Sequence, residues 1–249
     1  MGEAAANTGT AVTIDQLAKR YGSHVALDGI ALSIGRGEAF GLVGANGAGK
    51  TTLIRCLLDL SAPDAGRITL FGTDSRNPAA RARLSYLPER FVPPHYLTGE
   101  EFLRALAALM GAAYDAAGAE RLAAELELDR GALARPVRTL SKGMTQKLGL
   151  AGCLLPERDL YVLDEPMSGL DPAARLAVKG ALARLSAEGR TLLFTSHVLA
   201  DVDELCSSIA VLERAQLRFR GTPQALRSRY GEASLERAFL RCIRDAVGA

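Results

Sequence analysis

Gly44-Ala45-Asn46-Gly47-Ala48-Gly49-Lys50-Thr51 follows a short apolar run, Ala39 to Val43, and opens a segment from Lys50 to Leu60 that reads as a helix. The pattern is G-x-x-x-x-G-K-[ST], in the strand-then-helix setting that gives it meaning. Glycines let the backbone turn its N–H groups inward around an anion. The helix behind them aims its unsatisfied N–H groups and positive dipole end at the same point. Lys50 adds a full positive charge for the β- and γ-phosphates of a nucleotide, and the Thr51 hydroxyl can ligate Mg²⁺. The expected phosphate-binding set is Gly44, Ala45, Asn46, Gly47, Ala48, Gly49, Lys50, Thr51 and Thr52. The plain alternative is a glycine-rich turn that binds nothing.

Further along, Leu160-Tyr161-Val162-Leu163-Asp164-Glu165 reads as a buried strand that delivers two adjacent carboxylates at its C-terminal end. That end is where ligands bind in open α/β sheets. Asp164 suits a Mg²⁺ ion, directly or through water, and Glu165 suits the activation of an attacking water. Neighbouring side chains on a strand point oppositely, but a turn at Pro166 would let both approach one site. Alone, the pair could be an acidic turn. Together with the phosphate loop it points to a P-loop ATPase or GTPase.

The rest of the chain supports an α/β reading. Val12 to Ala18, Val25 to Ile34, Arg67 to Phe71, Thr191 to Thr195 and Ser208 to Leu212 read as further strands, with Tyr21-Gly22-Ser23 as a turn between the first two. Leu97 to Leu128 is rich in Ala and Leu and reads as two helices, with Gly118 as a weak break. Helices are also expected over Gly143 to Leu154, Pro172 to Glu188 and Val198 to Cys206, and an amphipathic one over Ala233 to Val247. Alternating strands and helices imply a mainly parallel sheet, and the early strands suggest an antiparallel flank. Residues 1–11 read as a disordered lead-in.

Composition sets limits. A chain of 249 residues with 48% hydrophobic and 23% charged residues is ordinary for one soluble globular domain, with or without an inserted subdomain. A net charge of +2 and no dense basic tract argue against nucleic acid as a partner. Cys56, Cys153, Cys206 and Cys242 lie far apart, which disfavours zinc or a disulfide framework and fits a reduced cytosol. No run approaches the roughly 18 apolar residues of a spanning helix. The longest, Leu148 to Leu155, stops at Pro156-Glu157-Arg158-Asp159. The start lacks a signal peptide, and Ala6 stands where myristoylation needs Ser or Thr. If the protein works at a membrane, something else must cross it.

Leu140-Ser141-Lys142-Gly143-Met144-Thr145-Gln146-Lys147 narrows the reading. By itself it is a serine-capped helix start. Between the two motifs above, it resembles the Leu-Ser-Gly-Gly-Gln type signature of the ABC ATPase family, with Lys142 for Gly and Met144 for Gln. The resemblance runs from about Val12 to Leu212. It implies a RecA-like P-loop core with an antiparallel β flank and a helical insertion. It also implies that Ser141 and Gly143 meet the γ-phosphate of ATP held by a partner subunit. Tyr21 stands where the family stacks an aromatic on adenine. Ser168-Gly169-Leu170-Asp171 resembles the segment that crosses the dimer interface, and His197 resembles the γ-phosphate switch histidine. Glu89, in Ser85-Tyr86-Leu87-Pro88-Glu89, stands where the family usually has Gln. A carboxylate there can accept from Mg²⁺-bound water but cannot donate.

The resemblance therefore implies ATP and Mg²⁺ as ligands, with Thr51, Glu89 and Asp164 toward the metal and Lys50, Glu165 and His197 catalytic. One domain is expected, with a core of 12–88 and 156–225, a helical subdomain of 89–155 and a helical tail of 226–249. The implied partners are a second ATPase subunit, a homodimer before a heterodimer, and a transmembrane permease. That would put the protein on the cytoplasmic face of the cell membrane. The tail from Ala233 to Leu240 resembles exporter-type subunits and leans the expectation toward export. The rival readings are a soluble ABC ATPase of DNA repair or translation, a P-loop kinase, and a non-catalytic binding module.

Overall fold

The computed structural model describes residues 9–245. In chain order the elements begin with β1 (Thr10–Tyr21), β2 (His24–Gly35), β3 (Ala39–Gly44), α1 (Lys50–Leu57), β4 (Ala65–Leu70) and β5 (Thr73–Asp74). The short α2 (Pro78–Arg81) and β6 (Leu84–Leu87) precede α3 (Gly99–Leu109), α4 (Ala116–Glu125) and α5 (Lys142–Leu154). Then come β7 (Leu160–Leu163), α6 (Pro172–Ala187), β8 (Thr191–Thr195), α7 (Leu199–Leu205), β9 (Ser208–Glu213), β10 (Gln216–Gly221), α8 (Pro223–Tyr230) and α9 (Leu235–Asp245).

Two sheets result. One has the order β2-β1-β4-β5 and is antiparallel; the other has the order β10-β9-β3-β8-β7-β6, parallel except for the edge hairpin β9–β10. The mainly parallel sheet with an antiparallel flank is thus as the sequence implied. Period-2 alternation divides the central strands between two apolar cores. Phe40, Leu42, Leu160, Val162 and Leu193 face the core shared with α1 and the antiparallel sheet. Ala39, Val43, Tyr161, Leu163, Leu192 and Phe194 face the core shared with α3 to α7. The helical insertion therefore packs into the core on that face.

Local chemistry sets the helix ends. Thr98 and Glu101 close a capping box at the start of α3. Pro at the first turn with a Thr or Asp cap opens α8 and α6, and Gly231 at φ +63 ends α8.

Several expected boundaries move. The break in the Ala/Leu-rich stretch falls between Leu109 and Ala116, with Gly111 at φ +67; Gly118 lies inside α4. α1 stops at Leu57, and Asp59 turns the chain at φ +60. β1 starts at Thr10, so the end of the expected lead-in is strand, while residues 1–8 lie outside the described residues. The end of the expected tail helix, 246–247, does so as well.

Candidate active site

β3, β8 and β7 are neighbours in the sheet, so their C-terminal ends open on one place. β3 ends at Gly44, where a Cβ atom would lie 2.3 Å from the Leu212 carbonyl oxygen. The loop returns through Gly49 at φ +113, where a Cβ would lie 2.4 Å from the Ala26 carbonyl. Both positions exclude any side chain. Gly49 is the N-cap of α1 and offers no side-chain cap, so the first N–H groups of the helix face outward unpaired by any side chain. Lys50 folds back, its Nζ donating to the Gly44 carbonyl at 2.7 Å and the Ala45 carbonyl at 3.1 Å. Burial pulls its pKa below the ordinary lysine value, against the opposing pull of Glu165, Asp164 and Glu89.

The carboxylates sit at the end of β7. Asp164 is 3% exposed; its Oδ1 accepts from the Thr195 hydroxyl at 2.7 Å and its Oδ2 from the Thr51 hydroxyl at 3.4 Å. Glu165 leaves the strand at φ +51, a left-handed conformation, and its N–H donates to Thr195 Oγ1 at 2.9 Å. The sequence placed the change of direction at Pro166; it occurs at Glu165 itself. That turn brings Glu165 Oε2 to within 2.8 Å of His197 Nδ1, and the same oxygen accepts from the His197 N–H at 3.3 Å. His197 is the second residue past β8.

A cleft of about 680 Å³ lies over these groups, within the size range of ligand pockets. Tyr21, Asn46, Gly47, Gly49, Lys50, Thr51, Thr52, Glu89, Asp164, Glu165 and His197 line it, all anticipated from sequence. Gly44, Ala45 and Ala48, expected in the same set, do not line it. The Tyr21 ring is half exposed, with its hydroxyl 3.2 Å from Ser61 Oγ. His24 and Ala26 also line the cleft and were not anticipated; Ser168, expected in the interface-crossing segment, lines it as well. His24 and Ala26 share one face of β2 just past the Tyr21 turn, and that spacing was the available signal.

Ser141, Gly143 and Asp171 do not line the cleft. Ser141 caps α5, accepting from the Met144 N–H at 3.2 Å, and Asp171 caps α6, accepting from the Ala174 N–H at 2.9 Å. The two segments are mutual neighbours: a Cβ on Gly143 would meet Leu170 Cδ2 at 3.7 Å, and the Lys142 side chain lies against Gly169.

The geometry fits a nucleotide triphosphate. Unpaired helix N–H groups and an ammonium face a cleft that also holds two carboxylates. Among the described residues no cluster of three or more His, Cys, Asp or Glu could hold a metal alone. Thr51 and Asp164 form the kind of small oxygen set that Mg²⁺ shares with phosphates and water.

Comparison with known proteins agrees. Residues 27–168 match the family model described as ABC transporter. The chain is 39% identical over 202 residues to an uncharacterized ABC transporter ATP-binding protein of Nostoc sp., covering 80% of this chain and 60% of that one. It is 38% identical over 222 residues to the Nod factor export ATP-binding protein I of Paraburkholderia xenovorans, covering 87% and 72%. A solved structure of an ATP binding subunit of an ABC transporter superposes with a TM-score of 0.85 at 32% identity, over 94% of this chain and 99% of that one. With the phosphate loop, the paired carboxylates and the histidine in one cleft, and with these likenesses over most of its length, the chain belongs to the ABC transporter family, among its ATP-binding proteins.

Proposed function

We propose that this chain hydrolyses ATP at a site completed by a second copy of itself, and that the opening and closing of that dimer drives a substrate through a separate permease, most simply outward. The observation that carries the reading is a mismatch within one chain. The cleft gathers the phosphate loop, Asp164, Glu165 and His197, while Ser141 and Gly143 stand outside it at the exposed start of α5. A helix N-terminus of that kind is itself a phosphate site. A two-fold pairing that brings the Ser141 end of one copy over the cleft of the other would sandwich two nucleotides.

In this reading the loop N–H groups and Lys50 hold the β- and γ-phosphates, and Tyr21 and His24 flank the base. Mg²⁺ would supply charge neutralisation at the phosphates, held by Thr51 and Asp164 with Glu89 toward its water. Glu165 takes the proton of the attacking water. His197 keeps the Glu165 carboxylate aimed and can contact the γ-phosphate. Loss of that phosphate removes the bridge between copies, so the dimer opens. A swing from mostly open to mostly closed needs about 5 kcal/mol of differential binding.

The division into a core of 12–88 and 156–225, a moving helical part of 89–155 and a tail of 226–249 belongs to this proposal, as do the permease and the cytoplasmic face of a membrane. No described helix is long and apolar enough to cross a membrane. Export is favoured by the Nod factor relative, which is named for it.

Mixing two crippled variants tests the composite site. Lys50→Ala spoils the phosphate loop and Ser141→Arg the opposite face. Each alone should be inactive. Together they should regain up to a quarter of wild-type ATPase activity, because one of the two sites in a mixed dimer is intact. No recovery on mixing would contradict the reading.

A further inference from the structure

Thr195 ends β8, the strand between the one carrying the phosphate loop and the one carrying the carboxylates, and it is fully buried. It does not line the cleft. Its single hydroxyl makes two bonds, donating to Asp164 Oδ1 at 2.7 Å and accepting the Glu165 N–H at 2.9 Å. A hydroxyl has one proton and two lone pairs. Committing the proton to Asp164 aims a lone pair at Glu165, so the two bonds set each other.

Each bond falls on a group whose orientation matters. With Oδ1 taken by Thr195, Asp164 presents Oδ2 toward Thr51 and the phosphate loop. Glu165 is held at φ +51 immediately before Pro166. For a residue with a side chain such a conformation is strained and persists only where its surroundings impose it. The Thr195 bond is made to the N–H of that same residue. Without the left-handed turn, Glu165 would continue the strand and its carboxylate would leave His197.

We propose that Thr195 is a positioning residue for ATP hydrolysis: its hydroxyl fixes the left-handed turn at Glu165 and the rotamer of Asp164 together. The inference rests on the reading of Glu165 as the group that activates water. A buried threonine that merely satisfies its own hydroxyl would affect stability alone when replaced.

Thr195→Val keeps the shape and removes the hydroxyl, and Thr195→Ser keeps the hydroxyl and removes the methyl. Thr195→Val should lower kcat tenfold to a hundredfold, the scale of a small misplacement of reacting groups. Its affinity for ATP should stay within about threefold, because the phosphate loop is untouched. Thr195→Ser should restore kcat to within about threefold of wild type. Amide hydrogen exchange, read by NMR on the nucleotide-free protein, gives a measure independent of turnover. The Glu165 amide should exchange at least tenfold faster in Thr195→Val, with the Leu193 and Phe194 amides unchanged.

Wild-type kcat in Thr195→Val, or an equal loss in Thr195→Ser, would overturn the proposal. Should Thr195→Val not fold, the comparison of Thr195→Ser with Thr195→Ala serves: a Ser variant no more active than the Ala variant would overturn it. Glu165→Gln, measured beside them, separates the two levels of the argument. If Glu165→Gln still turns over, the reading of Glu165 fails. If Glu165→Gln is dead and Thr195→Val is fully active, this inference alone fails.

Discussion

Lys50 carries a conflict. Its ammonium is partly desolvated and bonded to two loop carbonyls, and burial depresses its pKa in spite of nearby carboxylates. The charge is there for a ligand. Lys50→Ala should therefore weaken ATP binding by about 2 kcal/mol, near thirtyfold, the worth of a charge-assisted bond. Fluorescent nucleotide titration reads this, and unchanged affinity would remove Lys50 from the site. The same conflict has a signature in stability. Because the folded pKa lies below the unfolded one, the unfolded chain binds more protons between the two values, and stability rises with pH across that window. The cost is fully present below the folded pKa. Lys50→Met should thus raise the melting midpoint of the nucleotide-free protein at neutral pH, and the gap to wild type should narrow as pH climbs toward 10.5, the ordinary lysine value. A gap that widens would show that the carbonyl bonds outweigh desolvation. Glu165 is legible in the sequence as a residue type in a place, but its left-handed backbone is not. The strand pattern predicts opposite-facing neighbours, whereas the turn is bonded to Thr195 at the end of β8 and to His197 just past it.

Elements built from strong local patterns were readable. β3, β7 and β8 are apolar runs buried on both faces, and their expected bounds match to within a residue. Elements defined by pairing were not. β6 has four residues, and its place comes from lying parallel beside β7. β10 carries Arg218 and Arg220 and exists as the edge partner of β9. α8 has little apolar character and is set by its Thr222-Pro223 start and Gly231 end. His24 was missed because its role comes from where β2 runs, past the cleft. Two glycines show how element context decides a substitution. Gly49→Ala meets the Ala26 carbonyl at 2.4 Å in a left-handed conformation and should cost about 2 kcal/mol or more, lowering the melting midpoint and nucleotide binding together. Gly180 lies exposed within α6 with nothing within 4 Å of a Cβ, so Gly180→Ala should add about 0.5–1 kcal/mol and leave ATPase activity alone. Urea unfolding of the pair checks both signs; destabilisation by Gly180→Ala would mean that α6 is covered by something in solution.

At the scale of the whole molecule, the two apolar cores on either face of the parallel sheet tie the phosphate loop and the helical insertion to one framework. α5 is capped by Ser141, outside the cleft, and packs beside β6. In the proposed reading these are two halves of one site, and within a single chain Ser141 and Gly143 stay outside the cleft. The parts were legible separately as motifs in order along the chain. Their failure to converge is a property of the fold, and no spacing in the sequence states it. ATPase activity per chain should therefore rise with protein concentration until the dimer saturates; a specific activity independent of dilution would argue for a monomeric catalyst.

The most direct measurement is a crystal structure of Glu165→Gln with ATP and Mg²⁺, a variant that should keep the nucleotide while losing the base. The account predicts a two-fold dimer with Ser141 Oγ and the Gly143 N–H at hydrogen-bond distance, about 3 Å, from the γ-phosphate held by the other copy's Lys50. Nucleotide bound with Ser141 and Gly143 far from every γ-phosphate, in any pairing of chains, would contradict it.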